Sequence, residues 1–267
     1  MEEKQMKEQD AQQYEGELTF WDHLEVLRWA LVRIAGVLAV ITVFTFMAMP
    51  YIFDQYILAP TTSQFFMYGW LEDISGGLFT FSDDFSVQII NIHVASQFFT
   101  HISTSVSLAL VLAFPYIVYE LWKFVKPALF EHELKHVRAV FAGGTLMFYL
   151  GCMVAYCLIF PFCFRFLAEY ELSAAIHNQI DLSSYIGNFT MMILLIGLVF
   201  ELPLLAWLLS CLGIVNKSFL RKYKSHAVIA LLGLSAIITP SGDPFTMLLV
   251  AIPLYLLYEL SICVVRK

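Results

Sequence analysis

The sequence predicts an all-α integral membrane protein, with six transmembrane helices in a curved, concave bundle. Three observations predict it. Of the 267 residues, 60% are apolar and only 14% are charged, where a soluble domain carries about 25% charged residues. The apolar residues gather into six long stretches free of charge or interrupted by one acid. Prolines fall inside several of those stretches. Such a composition excludes a disordered chain, a nucleic-acid binder and an ordinary cytosolic enzyme.

The first 18 residues open MEEKQMKEQD. They are acidic and lack an apolar core, so they read as an aqueous tail and not as a signal or transit peptide. Residues 19–265 read as one membrane domain and 266–267 as a short tail. Thr19 reads as a helix cap with Asp22 three positions on. Phe20, Leu24, Leu27 and Leu31 follow at helical spacing. They predict a short amphipathic helix on the membrane surface that runs into the first span and shows Glu25 and Arg28 to water.

A spanning helix needs about 20 mostly apolar residues, because hydrocarbon offers no partner to the backbone. Charge-free stretches of 20, 35, 26 and 18 residues lie after Arg33, Asp84, Arg138 and Lys224, ending at Asp54, Glu120, Arg165 and Asp243. A 35-residue stretch after Asp181 is broken only by Glu201, and 22 residues from Pro244 only by Glu259. The spans are placed at about 30–50, 96–119, 138–161, 187–212, 225–239 and 245–263. The fifth is short: His226 to Ile238 covers about 20 Å, and the breakers from Thr239 to Pro244 prevent its extension. Pro115, Pro203 and Pro253 lie inside spans two, four and six, and Pro161 late in span three; each bends its helix.

Six spans put both termini on one side. Of the 15 Lys and Arg, 14 fall in the segments facing that side, and Arg165 is the exception. The first opposite loop holds Asp54, Glu72, Asp73, Asp83 and Asp84. The positive-inside rule then makes both termini cytoplasmic. The loop from Pro50 to Ala95 also carries Phe65, Phe66, Tyr68, Trp70, Phe79, Phe81 and Phe85, rings suited to the headgroup layer or to a cap over the bundle. Cys152, Cys157, Cys163, Cys211 and Cys263 form no C-x-x-C pair and read as small hydrophobes.

Two acids fall inside spans. Glu201, two residues before Pro203, is costly in hydrocarbon and is therefore a functional candidate. The structural alternative is a protonated acid bonded to the Val199 carbonyl, which Pro203 leaves without a donor. Glu259 lies nearer a membrane surface, where it can snorkel. His132-Glu133-Leu134-Lys135-His136 matches H-E-x-x-H, the zinc motif of intramembrane proteases. The obvious third ligand, Asp243, falls on the other face by charge count, and the motif sits among Glu131, Lys135 and Arg138. No nucleotide-binding loop or nucleophile motif appears, and no metal or cofactor is expected.

Several words in chain order resemble one family. His23-Leu24-Glu25-Val26-Leu27-Arg28 is similar to the H-L-E-E-L-R opening of the TatC family, the multi-spanning subunit of the twin-arginine protein translocase. Ser96-Gln97-Phe98-Phe99 resembles its second-span start. The segment Tyr119-Glu120-Leu121-Trp122-Lys123-Phe124-Val125-Lys126-Pro127-Ala128-Leu129-Phe130-Glu131-His132-Glu133 resembles its first cytoplasmic loop. Phe200-Glu201-Leu202-Pro203 resembles its F-E-x-P, and Thr239-Pro240 with Asp243-Pro244-Phe245 its outer T-P-P-D-P-F turn. Two departures stand out: Val26 replaces the second glutamate of the opening word, and Ser241-Gly242 stand where the family usually has one proline.

The resemblance implies a non-enzymatic receptor in a bacterial cytoplasmic membrane. It would bind twin-arginine signal peptides of folded cargo, assemble with single-span TatA/TatB-type subunits and further copies of itself, and use the proton-motive force. Glu133 is the implied arginine ligand. Glu25 could replace the acid absent at Val26, although it points about 100° away on a helix. His23, Arg28, Trp122 and Phe124 complete the implied peptide site, and Glu201 with Thr239 the intramembrane partner site. A guanidinium in a partly dry cleft wants a carboxylate that accepts two parallel hydrogen bonds, and the rings of Trp122 and Phe124 can shield such a pair. The alternatives are a proton-coupled small-solute transporter centred on Glu201 and a zinc protease using His132, Glu133 and His136.

Overall fold

The computed structural model describes residues 20–75, 85–125, 134–170, 172–173, 178–239 and 241–265. Helix α1 runs unbroken over Phe20–Ile52, because no breaker precedes Pro50. The predicted surface helix and first span are therefore one rod, about 50 Å long at 1.5 Å per residue. Leu24, Val26 and Leu31 remain exposed along it. A wide turn over Phe53–Ile57 and a tight one over Ala59–Thr61 end the rod. Helix α2 follows over Phe66–Ser75.

The chain returns through α3, Ser96–Val125. It lies antiparallel to α1: Arg33 reaches Glu120, the Thr45 hydroxyl donates to the Ser105 carbonyl at 2.9 Å, and His101 stacks on Phe46. Helix α4, Leu134–Val154, passes through a wide turn at Ala155–Ile159 into α5, Phe160–Glu169. The sequence predicts that this span ends at Pro161. It continues to Glu169 because the widened turn places Pro161 in the first turn of α5, where its missing N–H is not needed.

Span four is also longer than predicted, and it is split. Asp181 caps α6, Leu182–Val199, by accepting from the Ser183 N–H at 3.0 Å, so the helix starts five residues before the expected 187. It breaks at Phe200 and Glu201, and α7 resumes over Leu202–Cys211 with Pro203 in its first turn. Helices α8, Lys217–Lys222, α9, Lys224–Ile238, and α10, Pro244–Val264, complete the described chain. Among the described residues five helical stretches are long and apolar enough to cross a bilayer, and Lys224–Ile238 is a shorter apolar helix. Two-residue strands β1, Ile89–Ile90, and β2, Ile180–Asp181, pair in parallel beside the start of α6.

The largest core cluster lies where α5, α6 and α10 meet under the loop after α1. Phe160, Phe164, Tyr185 and Phe189 pack ring on ring, and the Tyr185 hydroxyl donates to the Ile57 carbonyl at 2.6 Å. Part of the aromatic loop is a cap: Phe65, Tyr68 and Phe85 are buried, whereas Phe66 and Trp70 are exposed. Phe79 and Phe81 lie outside the described residues. Arg165, the lone Lys or Arg at this end of the bundle among the described residues, is buried beneath the cap. Its guanidinium lies 4.4 Å from the Phe85 ring centre and bonds Glu169 at 2.8 Å. Four cysteines are buried as expected and Cys263 is exposed on α10.

Asp243 caps α10. Its carboxylate accepts from the Thr246 N–H at 2.9 Å and from the Ser241 and Thr246 hydroxyls. Burial alone would raise its pKa, but those hydrogen bonds more than offset it and hold the carboxyl below its ordinary value. Asp243→Ala is expected to cost about 1 kcal/mol, the usual worth of such a cap. A lowered folded pKa gives stability that is complete above the unfolded value and fades as pH falls through the folded one. The gap in Tm between wild type and variant should therefore close on acidification. A gap that widens in acid would contradict the cap.

Candidate functional site

Two places hold ionisable side chains where a bilayer-spanning fold should avoid them. The first is the cation-rich end of the bundle. There α1 carries Glu25, Val26, Trp29 and Arg33 along an open groove of about 390 Å³. Glu25, Arg28 and Trp29 are exposed. At the inner end of the groove Arg33 meets Glu120 of α3, donating from Nη2 at 2.7 Å and from Nε at 3.2 Å to the same oxygen, Oε2. The other oxygen, Oε1, accepts from the Tyr116 hydroxyl at 3.0 Å and from Lys123 at 3.4 Å. Glu120 itself is only 1% exposed. One carboxylate thus collects two cations and a phenol.

Trp122 is half-buried two residues beyond Glu120. It tilts onto Phe141 of α4 at 4.7 Å between ring centres and packs against Trp207 and Cys211 of α7. It therefore forms a wall between α3 and α7 as well as a ring near the surface. Phe124, two residues on, is half-buried. Glu133 and His132 lie outside the described residues. His23 and His136 are placed as helical backbone. No group of three or more metal-ligating side chains occurs among the described residues.

The second place is the break in span four. The Phe200 and Glu201 N–H groups bond the Ile196 and Leu198 carbonyls at 3.0 Å each, and the Leu205 N–H bonds the Glu201 carbonyl at 2.9 Å. This local turn lets the helix restart at Leu202 with Pro203 in its first turn. It also points the Glu201 side chain at α4. There Gly144 has no side chain because none fits: a Cβ would lie 2.9 Å from Glu201 Oε2 and 2.5 Å from Leu204 Cδ2. Two turns along, Gly151 makes the same concession to Phe200, whose Cγ would lie 2.6 Å from an added Cβ. Glu201 is 7% exposed, and neither carboxyl oxygen has a hydrogen-bond partner among the described residues. The Val199 carbonyl is thus not its partner. Thr239 is buried, with its hydroxyl on the Ala236 carbonyl at 3.5 Å, so no hydrogen bond joins it to Glu201. Glu259, by contrast, is paired with Lys224 and with the Tyr255 hydroxyl at 2.7 Å.

The family model described as Sec-independent protein translocase protein (TatC) matches residues 22–253. A protein of that name from Blattabacterium sp. subsp. Periplaneta americana (strain BPLAN) is 33% identical over 253 residues, covering 92% of this chain and 94% of its own. The Deinococcus radiodurans protein of the same name is 33% identical over 246 residues, covering 92% and 85%. Among solved structures, a crystal structure of the twin arginine translocase receptor TatC superposes with a TM-score of 0.72 at 26% identity. It covers 91% of this chain and 97% of its own.

Proposed function

The chain belongs to the TatC family of Sec-independent protein translocase proteins, and from that premise we propose that it is the receptor and assembly subunit of a twin-arginine translocase. It binds twin-arginine signal peptides of folded cargo at its cation-rich end, which faces the cytoplasm. Six helices cross the membrane, with Lys224–Ile238 as a short fifth span that thins the bilayer or sits behind its neighbours. Inside the membrane, Glu201 receives a small single-span partner, and assembly with further copies follows. Transport draws on the proton-motive force.

The observation that carries this proposal is the extent of the likeness. The family match runs over residues 22–253, from the groove on α1 past Glu133 into α10, so it takes in every residue proposed for the two sites. Physical chemistry supports the same assignment. An excess of Lys and Arg marks the cytoplasmic end of a membrane protein, and that end holds the proposed ligands Glu133 and Glu25 with Trp122, Phe124, His23 and Arg28. Among the described residues Glu201 has two unmet acceptors, and a partner helix bearing a polar side chain would meet them.

The test is capture of a synthetic twin-arginine signal peptide by the chain in native membrane, with a twin-lysine peptide as control. Ammonium cannot form the two-pronged bond that guanidinium makes, so the lysine peptide should bind about tenfold or more weakly. Small single-span proteins should co-purify. Equal capture of the two peptides, or solute uptake by vesicles holding this chain alone, would contradict the receptor role.

A further inference from the structure

We propose that Glu120 is a guanidinium-binding carboxylate of the signal-peptide site, and that Arg33 occupies it as an internal stand-in which an arginine of the cargo displaces. The inference rests on the receptor role above and adds a ligand to it.

The geometry already describes a guanidinium site. Glu120 Oε2 takes two N–H groups of one planar guanidinium, from Nε and Nη2 of Arg33. Oε1 is steadied by Tyr116 and Lys123. The carboxylate is therefore preorganised and does not have to be dried or turned when a ligand arrives. Arg33 is different: its side chain is 45% exposed, and it lies at the inner end of an open groove. Buried acids are not left without a cation, because an unpaired charge is expensive there. An exchange of one guanidinium for another never exposes Glu120 to that cost. The released Arg33 can extend along its apolar stem to water or to acidic headgroups.

The groove fits two adjacent arginines. Glu25 and Arg33 line it, and Glu120 lies buried behind Arg33, bonded to it. The α1 positions of Glu25 and Arg33 are separated by about 12 Å of helix rise. Neighbouring side chains of an extended peptide point to opposite sides, so two guanidinium heads can reach that far apart. Trp29, 52% exposed in the groove wall, offers a ring face on which a guanidinium stacks better than an ammonium does. Lysine would gain less from the ring and could not make the double contact on Oε2.

The experiment measures binding of the twin-arginine and twin-lysine peptides to the full chain in membrane vesicles, for wild type, Glu120→Gln and Arg33→Gln. Thermal unfolding in detergent is followed in parallel. Glu120→Gln keeps the shape and a neutral partner for Arg33 but loses the charge, and should weaken the arginine peptide about tenfold or more. Arg33→Gln removes the competitor and should tighten the same peptide several-fold. Wild-type affinity in Glu120→Gln would overturn the inference. So would Arg33→Gln weakening binding as much as Glu120→Gln, because the pair would then be a brace between α1 and α3 and nothing more. A wild type that fails to prefer the arginine peptide would instead overturn the receptor role itself.

Discussion

Glu133→Ala is expected to abolish photo-cross-linking of a twin-arginine peptide while leaving insertion of the chain unchanged. A carboxylate that accepts two hydrogen bonds from a guanidinium contributes about 1.5–3 kcal/mol per charged bond. Loss of both therefore removes a factor of about a hundred or more in affinity. Substitution of a loop acid by alanine changes stability by about 0.5 kcal/mol or less, so the chain should still insert and unfold as wild type does. Protease accessibility of the loops and Tm in detergent check the fold, and cross-linking yield checks the site. Undiminished cross-linking would remove Glu133 from the proposed site.

A second large effect is expected at Glu201, with the opposite signature for stability. Its two oxygens are buried and without a partner among the described residues, so in the isolated chain they contribute nothing to offset their desolvation. Glu201→Leu should therefore leave Tm unchanged or raise it, as removal of an unmet buried polar group commonly does. The same substitution should abolish co-purification of the single-span partner and with it transport, because the partner loses its polar contact inside the membrane. Gly144 leaves room for the acid but not for a larger neighbour, so the test substitution belongs at Glu201 and not across from it. A fall in Tm with the partner still bound would make Glu201 a structural residue.

Most of the helical plan was legible from charge spacing, because a single Lys, Arg, Asp or Glu is enough to mark where a span cannot continue. Its bounds were less legible. Pro161 reads as an end, yet a wide turn before it lets α4 pass into α5. Asp181 entered only as the edge of a charge-free stretch, yet it caps α6 and starts the helix. Glu201 was visible as an acid in a long apolar run. Its unmet oxygens were not, because they depend on a break in backbone direction and on Gly144 from another helix. Glu120 and Arg33 entered the sequence reading as edges of charge-free stretches, in a charge count and in a family word, but never as a pair. That they meet depends on the antiparallel register of α1 and α3, which no local pattern encodes. The available signal was Glu120 itself, an acid three residues before Lys123 in a strongly apolar helix, which needs a cation from somewhere.

The claim on which both sites depend is that the cation-rich end faces the cytoplasm. The direct measurement places a single cysteine at Glu133 in a chain whose five native cysteines are replaced, and treats sealed spheroplasts with a membrane-impermeant thiol reagent. The cysteine should stay unmodified until the membrane is opened and should then react fully. Modification in sealed spheroplasts would put the loop on the outer face, out of reach of any signal peptide before export, and would contradict the account.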